Sequence, residues 1–321
     1  MKDAFISIRG RVAINVEALN MTESVGNYVK HRRVPVMLKD ADGSYSVYFM
    51  PAISGESIAH GLQTAIATLS KENGLKVCKL CEKGIFLKST NKAVFKESFG
   101  EDADEKNIEK TVIENCVVED LGGFLYAEEA NVKRTSNFYV GYMIPVYEVA
   151  KNVVIEPQLH SRYALGTKFV KRGEQNEEQG QMLYYVELTS SVYTFSLDID
   201  TQYIGRLTFD VNEAGKEVIS NDERLKRAYV LLDAAKVLMV ENSFGAKKTR
   251  FLPITGWESM VIAVSDKPWT VPSPFTQDYI NNAKKKCEKI NYNTKLYIHE
   301  GSGFESFLHD TIEEIKVRLK G

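Results

Sequence analysis

Phosphate-binding chemistry is most densely represented between Asn242 and Pro253, NSFGAKKTRFLP. Gly245 has no Cβ, so the backbone there can turn sharply or approach a ligand closely. Lys247, Lys248 and Arg250 follow as cationic donors, and Thr249 adds a hydroxyl. Ammonium and guanidinium groups beside a glycine turn suit a phosphate-bearing partner. Glycine, lysine and threonine are also the residues of a P-loop. That motif needs a second glycine five positions upstream and a strand leading into a helix. Val240 stands at that position, and the stretch follows a helical pattern instead of opening one. Nucleotide hydrolysis is therefore set aside.

Other basic and glycine-flanked turns accompany it. Lys30, His31, Arg32 and Arg33 form one cluster, Lys133 and Arg134 a second, and His160 with Arg162 a third. Ser54 and Gly55 open a helical pattern whose amino end offers N–H donors to an anion. Each cluster alone is as well explained by a solvated basic turn. Together they describe a groove that follows a nucleic-acid backbone, with Tyr139, Tyr142 or Phe251 available to stack on bases. The histidines give two other readings. No HxxxH or HExxH pair occurs among His31, His60 and His160, which speaks against a metal hydrolase. His60 falls inside an amphipathic pattern and reads as an interior histidine. His31 beside arginine is a candidate general base for a ribonuclease.

Composition limits the choice. The chain has 321 residues, of which 44% are hydrophobic and 26% charged, enough to bury a real core. Its 41 basic and 43 acidic residues nearly cancel, so any polyanion site is a local patch on a balanced surface. No stretch approaches the length of apolar sequence that spans a bilayer, and the chain is expected to be cytoplasmic. Cys78 and Cys81 form a CxxC, whereas Cys116 and Cys287 stand apart. No second pair completes a zinc site. Reduced, partly buried cysteines are the simpler expectation, with zinc completed by Cys116 or a histidine as the other. No cofactor is expected.

The elements that must position these residues follow from periodicity. Residues 4 to 19 read as a long strand in which Gly10 marks a bulge or a close approach. Residues 20 to 35 read as a turn-rich segment, and 34 to 53 as a hairpin turning at Asp42-Gly43. A helix runs from Ser54 to Asn73 on Ile58, Leu62, Ile66 and Leu69, closed by Gly74. From 75 to 183 the pattern is mixed: a charged, solvated loop or helix face near 96–110, extended chain near 131–149, a strand near 155–173 and a polar hairpin tip at 173–180. A strand over 182–200, a helix over 221–241, a buried strand at 257–265 and helices at 275–289 and 303–320 complete the chain. Stripped of insertions, this is the βαββαβ order of a ferredoxin-like sheet.

Four motifs in order carry a resemblance: NMTESVGNYVKHRRVPV, PAISGESIAHG, DLGGFLY with KRTSNFYVGYMIP, and FGAKKTRFLP. The chain resembles the DevR-type CRISPR-associated backbone subunits, the Cas-seven family, in its archaeal type I-A form. That resemblance implies an α+β fold with an RRM-like antiparallel sheet. Residues 1–75 and 184–321 would form the palm with appended C-terminal helices, and 76–183 an inserted domain with a thumb-like protruding hairpin. It implies a non-enzymatic subunit of Cascade that polymerises with itself along CRISPR RNA. Other subunits dock on it, and guide pairing recognises target DNA. RNA contacts would fall on Asn27, His31, Arg32, Ser54, Gly55, Lys133, Arg134, His160, Lys247, Lys248 and Arg250. A metal-independent endoribonuclease that processes CRISPR RNA, or a protein-interaction module, are the other readings. The aromatic ribonucleoprotein motif of true RRM domains is absent, so stacking on the sheet face is not expected.

Overall fold

A computed structural model describes residues 1–16, 21–88, 90–104, 106–129, 131–163, 181–241 and 255–321. The polar hairpin tip at 173–180 lies outside them. The chain opens with β1 (Phe5–Val16), then two hairpins: β2 (Met21–Val25) with β3 (Tyr28–His31), and β4 (Arg33–Lys39) with β5 (Tyr45–Pro51). Helix α1 (Gly55–Glu72) follows. Next come three short helices, α2 (Lys92–Phe99), α3 (Ile108–Asn115) and α4 (Val117–Gly122). The strands β6 (Phe124–Ala127), β7 (Asn131–Arg134) and β8 (Phe138–Val140), the single turn α5 (Tyr147–Ala150), and β9 (Glu156–Tyr163) lead to β10 (Gln181–Asp200). The chain ends with α6 (Asn221–Glu241), β11 (Thr255–Ser265), α7 (Tyr279–Lys289), β12 (Lys295–Glu300) and α8 (Phe304–Lys320).

The main sheet is built around β1 and β10. The antiparallel order β12-β11-β1-β10 is extended by β8, which pairs with the end of β10 through Leu197–Ile199. The first half of β10 leaves this sheet and joins a second group. There it pairs antiparallel with β9 and parallel with β3, which carries β2. One face of β1 presents Ile6, Ile8, Val12 and Ile14, all essentially inaccessible. Leu197, Ile199, Ile262 and Val264 lie across from Ile6 and Ile8. Helices α1, α6 and α8 cover this face, and α7 covers part of the other through Tyr279, Ile280 and Ala283. Each fully buried aliphatic chain contributes about 1.5–3 kcal/mol.

The long helices follow their sequence signals. Ser54 caps α1, accepting the Ser57 N–H at 3.3 Å on Oγ, and Gly74 takes a φ of 68° beyond its end. Gly10 serves as expected. A Cβ there would meet the Trp257 ring at 2.9 Å, and the register with β11 slips between Arg11 and Val12. One expectation is corrected: residues 21–31 form a β-hairpin through Gly26-Asn27, not an irregular turn. The charged stretch near 96–110 contains the end of one helix and the start of the next, joined by a loop.

Candidate nucleic-acid interface

Where the first half of β10 leaves the main sheet, three strands share one carboxylate. Glu187 is buried (3% exposed) and accepts the His31 backbone N–H at 2.8 Å, the Tyr28 hydroxyl at 3.0 Å and Arg33 Nη2 at 2.6 Å. The Arg33 side chain remains 43% exposed, so this pair is bound at one end and wet at the other. Asn27, in the hairpin turn, donates from Nδ2 to the Leu183 carbonyl at 3.0 Å. Its own carbonyl receives the Tyr185 N–H. Two stacked ring pairs flank β10 on opposite faces, because Tyr184 and Tyr185 are successive residues: Tyr28 of β3 on Tyr185 at 5.7 Å, and His160 of β9 on Tyr184 at 5.3 Å. The fold thus brings Asn27, His31 and Arg32 and, more than a hundred residues later, His160 to the neighbourhood of β10. Cations, an exposed turn and partly exposed rings on a rigid strand can engage a phosphodiester backbone and its bases.

His31 itself is turned inward. It is 2% exposed, and Nδ1 lies 2.9 Å from the Arg32 carbonyl. Burial lowers its pKa below the ordinary histidine value. A ring enclosed this way presents no nitrogen to an external phosphate or hydroxyl, and both the contact and the general-base roles expected of His31 are corrected on that ground. His60, expected inside, is exposed on α1 with its ring 5.0 Å from Phe86.

The amino end of α1 is also closed. Ser54 is 3% exposed, and a Cβ on Gly55 would sit 2.7 Å from the Val140 carbonyl oxygen. Gly55 is therefore needed for close packing against the end of β8. Glu56 occupies the first turn, where its carboxylate already answers the positive end of the helix dipole. An incoming phosphate would meet packed backbone and a like charge. Ser54 and Gly55 as direct phosphate contacts are corrected on those grounds.

Lys133 and Arg134 separate completely. They are neighbours on β7, so their side chains point to opposite faces. Lys133 is exposed, whereas Arg134 is 3% exposed. Its Nε donates to the Asp120 carbonyl, Nη1 to Glu109 and the Arg206 carbonyl, and Nη2 to the Asp120 carboxylate and the Tyr203 carbonyl. All five donors of a guanidinium are thereby used. Arg134 is a structural residue, and its expected RNA contact is withdrawn. Lys247, Lys248 and Arg250 lie outside the described residues, in the segment joining α6 to β11.

Two features carried no signal in the sequence. Arg9 forms a bidentate pair with Asp198, both bonds 2.8 Å. The β4–β5 hairpin has an apolar outer face: Met37, Val47 and Phe49 are 59–70% exposed, and Met37 pairs with Val47 while Pro35 pairs with Phe49. Its inner face packs Leu38 and Met50 on Ala150. Alternation in both strands was visible, but both alternating sets are apolar, so the sequence did not say which face was covered.

Comparison with known proteins sets this architecture in context. The family described as "CRISPR-associated negative auto-regulator DevR/Csa2" matches residues 8–284. "CRISPR-associated protein Cas7/Csa2 1" of Saccharolobus solfataricus is 36% identical over 298 residues, covering 92% of this chain and 89% of the relative. "CRISPR-associated aCascade subunit Cas7/Csa2 2" of the same organism is 33% identical over 325 residues, covering 97% and 98%. Among solved structures, a chain of a "CRISPR RNA-guided surveillance complex, pre-nicking" aligns over 97% of this chain and 99% of its own length. Its TM-score is 0.52 at 10% identity, a likeness of fold.

Proposed function

The chain belongs to the DevR/Csa2 family of CRISPR-associated proteins, and we propose that it is a Cas7 backbone subunit of a type I-A Cascade complex that holds CRISPR RNA by its phosphates. The family match over residues 8–284 carries this reading. The strand and helix order β1-α1-β8-β10-α6-β11, with β11, β1, β10 and β8 adjacent in that sequence across the sheet, supports an RRM-like palm. Residues 1–75 and 184–321 would supply most of that palm and 76–183 the insertion, with β8 joining the palm sheet from within it. No catalytic step is assigned. The protein positions the guide, and base pairing with target DNA reads the sequence.

The RNA path proposed here runs along β10 past Asn27, Lys30, Arg32, Arg33 and His160, with Lys133, Lys247, Lys248 and Arg250 as further cationic contacts. Phosphate contacts release counterions, and each contributes a slope of about −0.7 in log affinity against log salt for single strands. Three or more contacts make a fourfold rise in salt cost roughly 20-fold or more in affinity. Unrelated single-stranded RNAs of equal length should bind alike and lose affinity together as salt rises. Fluorescence anisotropy at two salt concentrations measures this, and strong base selectivity or salt independence would refute it.

The outer face of the β4–β5 hairpin fits contact between successive copies along the RNA. Exposed apolar patches of this kind mark protein interaction sites. Phe49→Glu should leave binding of a short RNA unchanged and weaken assembly on spacer-length RNA about tenfold or more, as for a central interface anchor. Light scattering of the complexes reads the difference. Particles of unchanged size would place the copy-to-copy contact elsewhere.

A further inference from the structure

Cys116 converges on the Cys78–Cys81 pair in the segment between α1 and β6. Cys78 and Cys81 bracket the start of the short 3₁₀ turn Cys81–Lys83, and Cys116 occupies the joint between α3 and α4. All three are buried free thiols, and their sulfurs lie within 4.8 Å of one another. Glu119, on the first turn of α4, is fully buried beside them. Its Oε1 accepts from Cys81 Sγ at 2.8 Å and from the Leu87 N–H at 2.9 Å. Its Oε2 is inaccessible and has no hydrogen-bond partner. A carboxylate oxygen in that position is costly unless a cation or donor meets it.

We propose that Cys78, Cys81 and Cys116 bind a zinc ion, and that the Glu119 carboxylate, which touches Cys81 but stands more than 4.8 Å from at least one of the other two sulfurs, moves in as fourth ligand. Thiolates with one oxygen donor suit zinc better than harder divalent metals. In a tetrahedral site with Zn–S of about 2.3 Å, sulfurs stand about 3.8 Å apart. The thiols therefore need to close by no more than about 1 Å from their 4.8 Å limit. The C-x-x-C spacing matches a metal knuckle. Lys88 lies near Glu119 and donates to the Gly122 carbonyl at 3.1 Å, placing a positive charge beside an anionic ligand set. A surface cavity of about 700 Å³, lined by Lys71, Lys76, Lys79 and Glu82, reaches Cys78 and gives a route inward. Four protein ligands leave no open position, so the ion is structural. It fastens the loop after α1 to the α3–α4 joint. On binding, the ion displaces the thiol protons, including the one Cys81 donates to Glu119.

The test uses the full chain, purified without chelator and with its thiols reduced. Elemental analysis should find one zinc per chain. Cobalt added after chelator treatment should give thiolate charge-transfer bands and the visible bands of a tetrahedral site. Both signals should disappear in Cys116→Ser, while Glu119→Gln should retain a three-sulfur site with roughly tenfold or more weaker affinity. X-ray absorption of the zinc-loaded wild type gives the ligand count even where a variant folds poorly. Wild-type protein with titratable thiols, no zinc and no cobalt bands overturns the proposal, as does a shell without sulfur.

Discussion

Asp120→Ala is expected to lower the free energy of unfolding by about 3–5 kcal/mol, the cost of leaving buried partner charges uncompensated. Asp120 is fully buried and lies between two arginines that are themselves inaccessible. Its Oδ1 accepts from Arg134, and its Oδ2 from Arg227 Nη1 at 2.8 Å. Both oxygens also face the Gly205 N–H, at 3.2 and 3.1 Å. Without the carboxylate, two buried guanidinium groups face each other across a cavity. Glu109 still meets Arg134, and Glu223 still meets Arg227, but neither separates the two cations. The network joins α4, β7, α6 and the turn around Tyr203–Arg206, so its loss should loosen α4 and β7 from α6. Glu223→Gln is the control. Its carboxylate is 34% exposed, and water replaces much of what it supplies, so about 1 kcal/mol or less is expected. Urea midpoints decide the matter. Equal midpoints for Asp120→Ala and wild type would mean that the ion network contributes nothing net.

Combined Lys247→Ala, Lys248→Ala and Arg250→Ala substitution is expected to reduce RNA affinity on the order of 100-fold or more. Hydrogen bonds to charged groups contribute about 1.5–3 kcal/mol each, and three removed together exceed that factor. The unfolding midpoint should not move. Lys133→Ala alone should show a smaller loss, the share of a single phosphate contact. The measurement is RNA retained through purification, followed by a binding curve at fixed salt. Retention at the wild-type level would remove this segment from the RNA path.

The long elements were legible because burial repeats along them. Ile58, Leu62 and Ile66 fix the inner face of α1, with Ser54 and Gly74 marking its ends. The same arithmetic would have placed His60 correctly. Two residues beyond Ile58 is about 200° around a helix, so His60 faces away from the core. Helices α2 and α3 were hidden because each spans only eight residues. A stretch that short gives the 3.6-residue period barely two turns to show itself. The β2–β3 hairpin was hidden for a related reason, since its turn at Gly26-Asn27 joins two strands of four and five residues. For the site, basic residue types identified phosphate chemistry but not orientation. Lys133 and Arg134 differ by one step on a strand of four residues, and only the tertiary partners Asp120 and Glu109 decide which of them faces inward. Cys116 was already a candidate partner for the CxxC in the sequence, whereas Glu119 reaches the cluster through the turn of α4, which spacing along the chain does not reveal.

Strand β10 runs through 20 residues without interruption, about 65 Å at 3.3 Å per residue. Its two halves answer to different neighbours, so the whole arrangement obeys a parity rule. One residue added near Ser190 would invert every side chain of one half relative to the main sheet. Val186 and Leu188 would then exchange faces with Leu183, Tyr185 and Glu187, and the buried Glu187 carboxylate would lose its His31, Tyr28 and Arg33 partners. Two added residues would restore the faces and lengthen the strand by about 6.6 Å. The reach of this arm can therefore vary among relatives only in even steps, unless a bulge absorbs the odd residue.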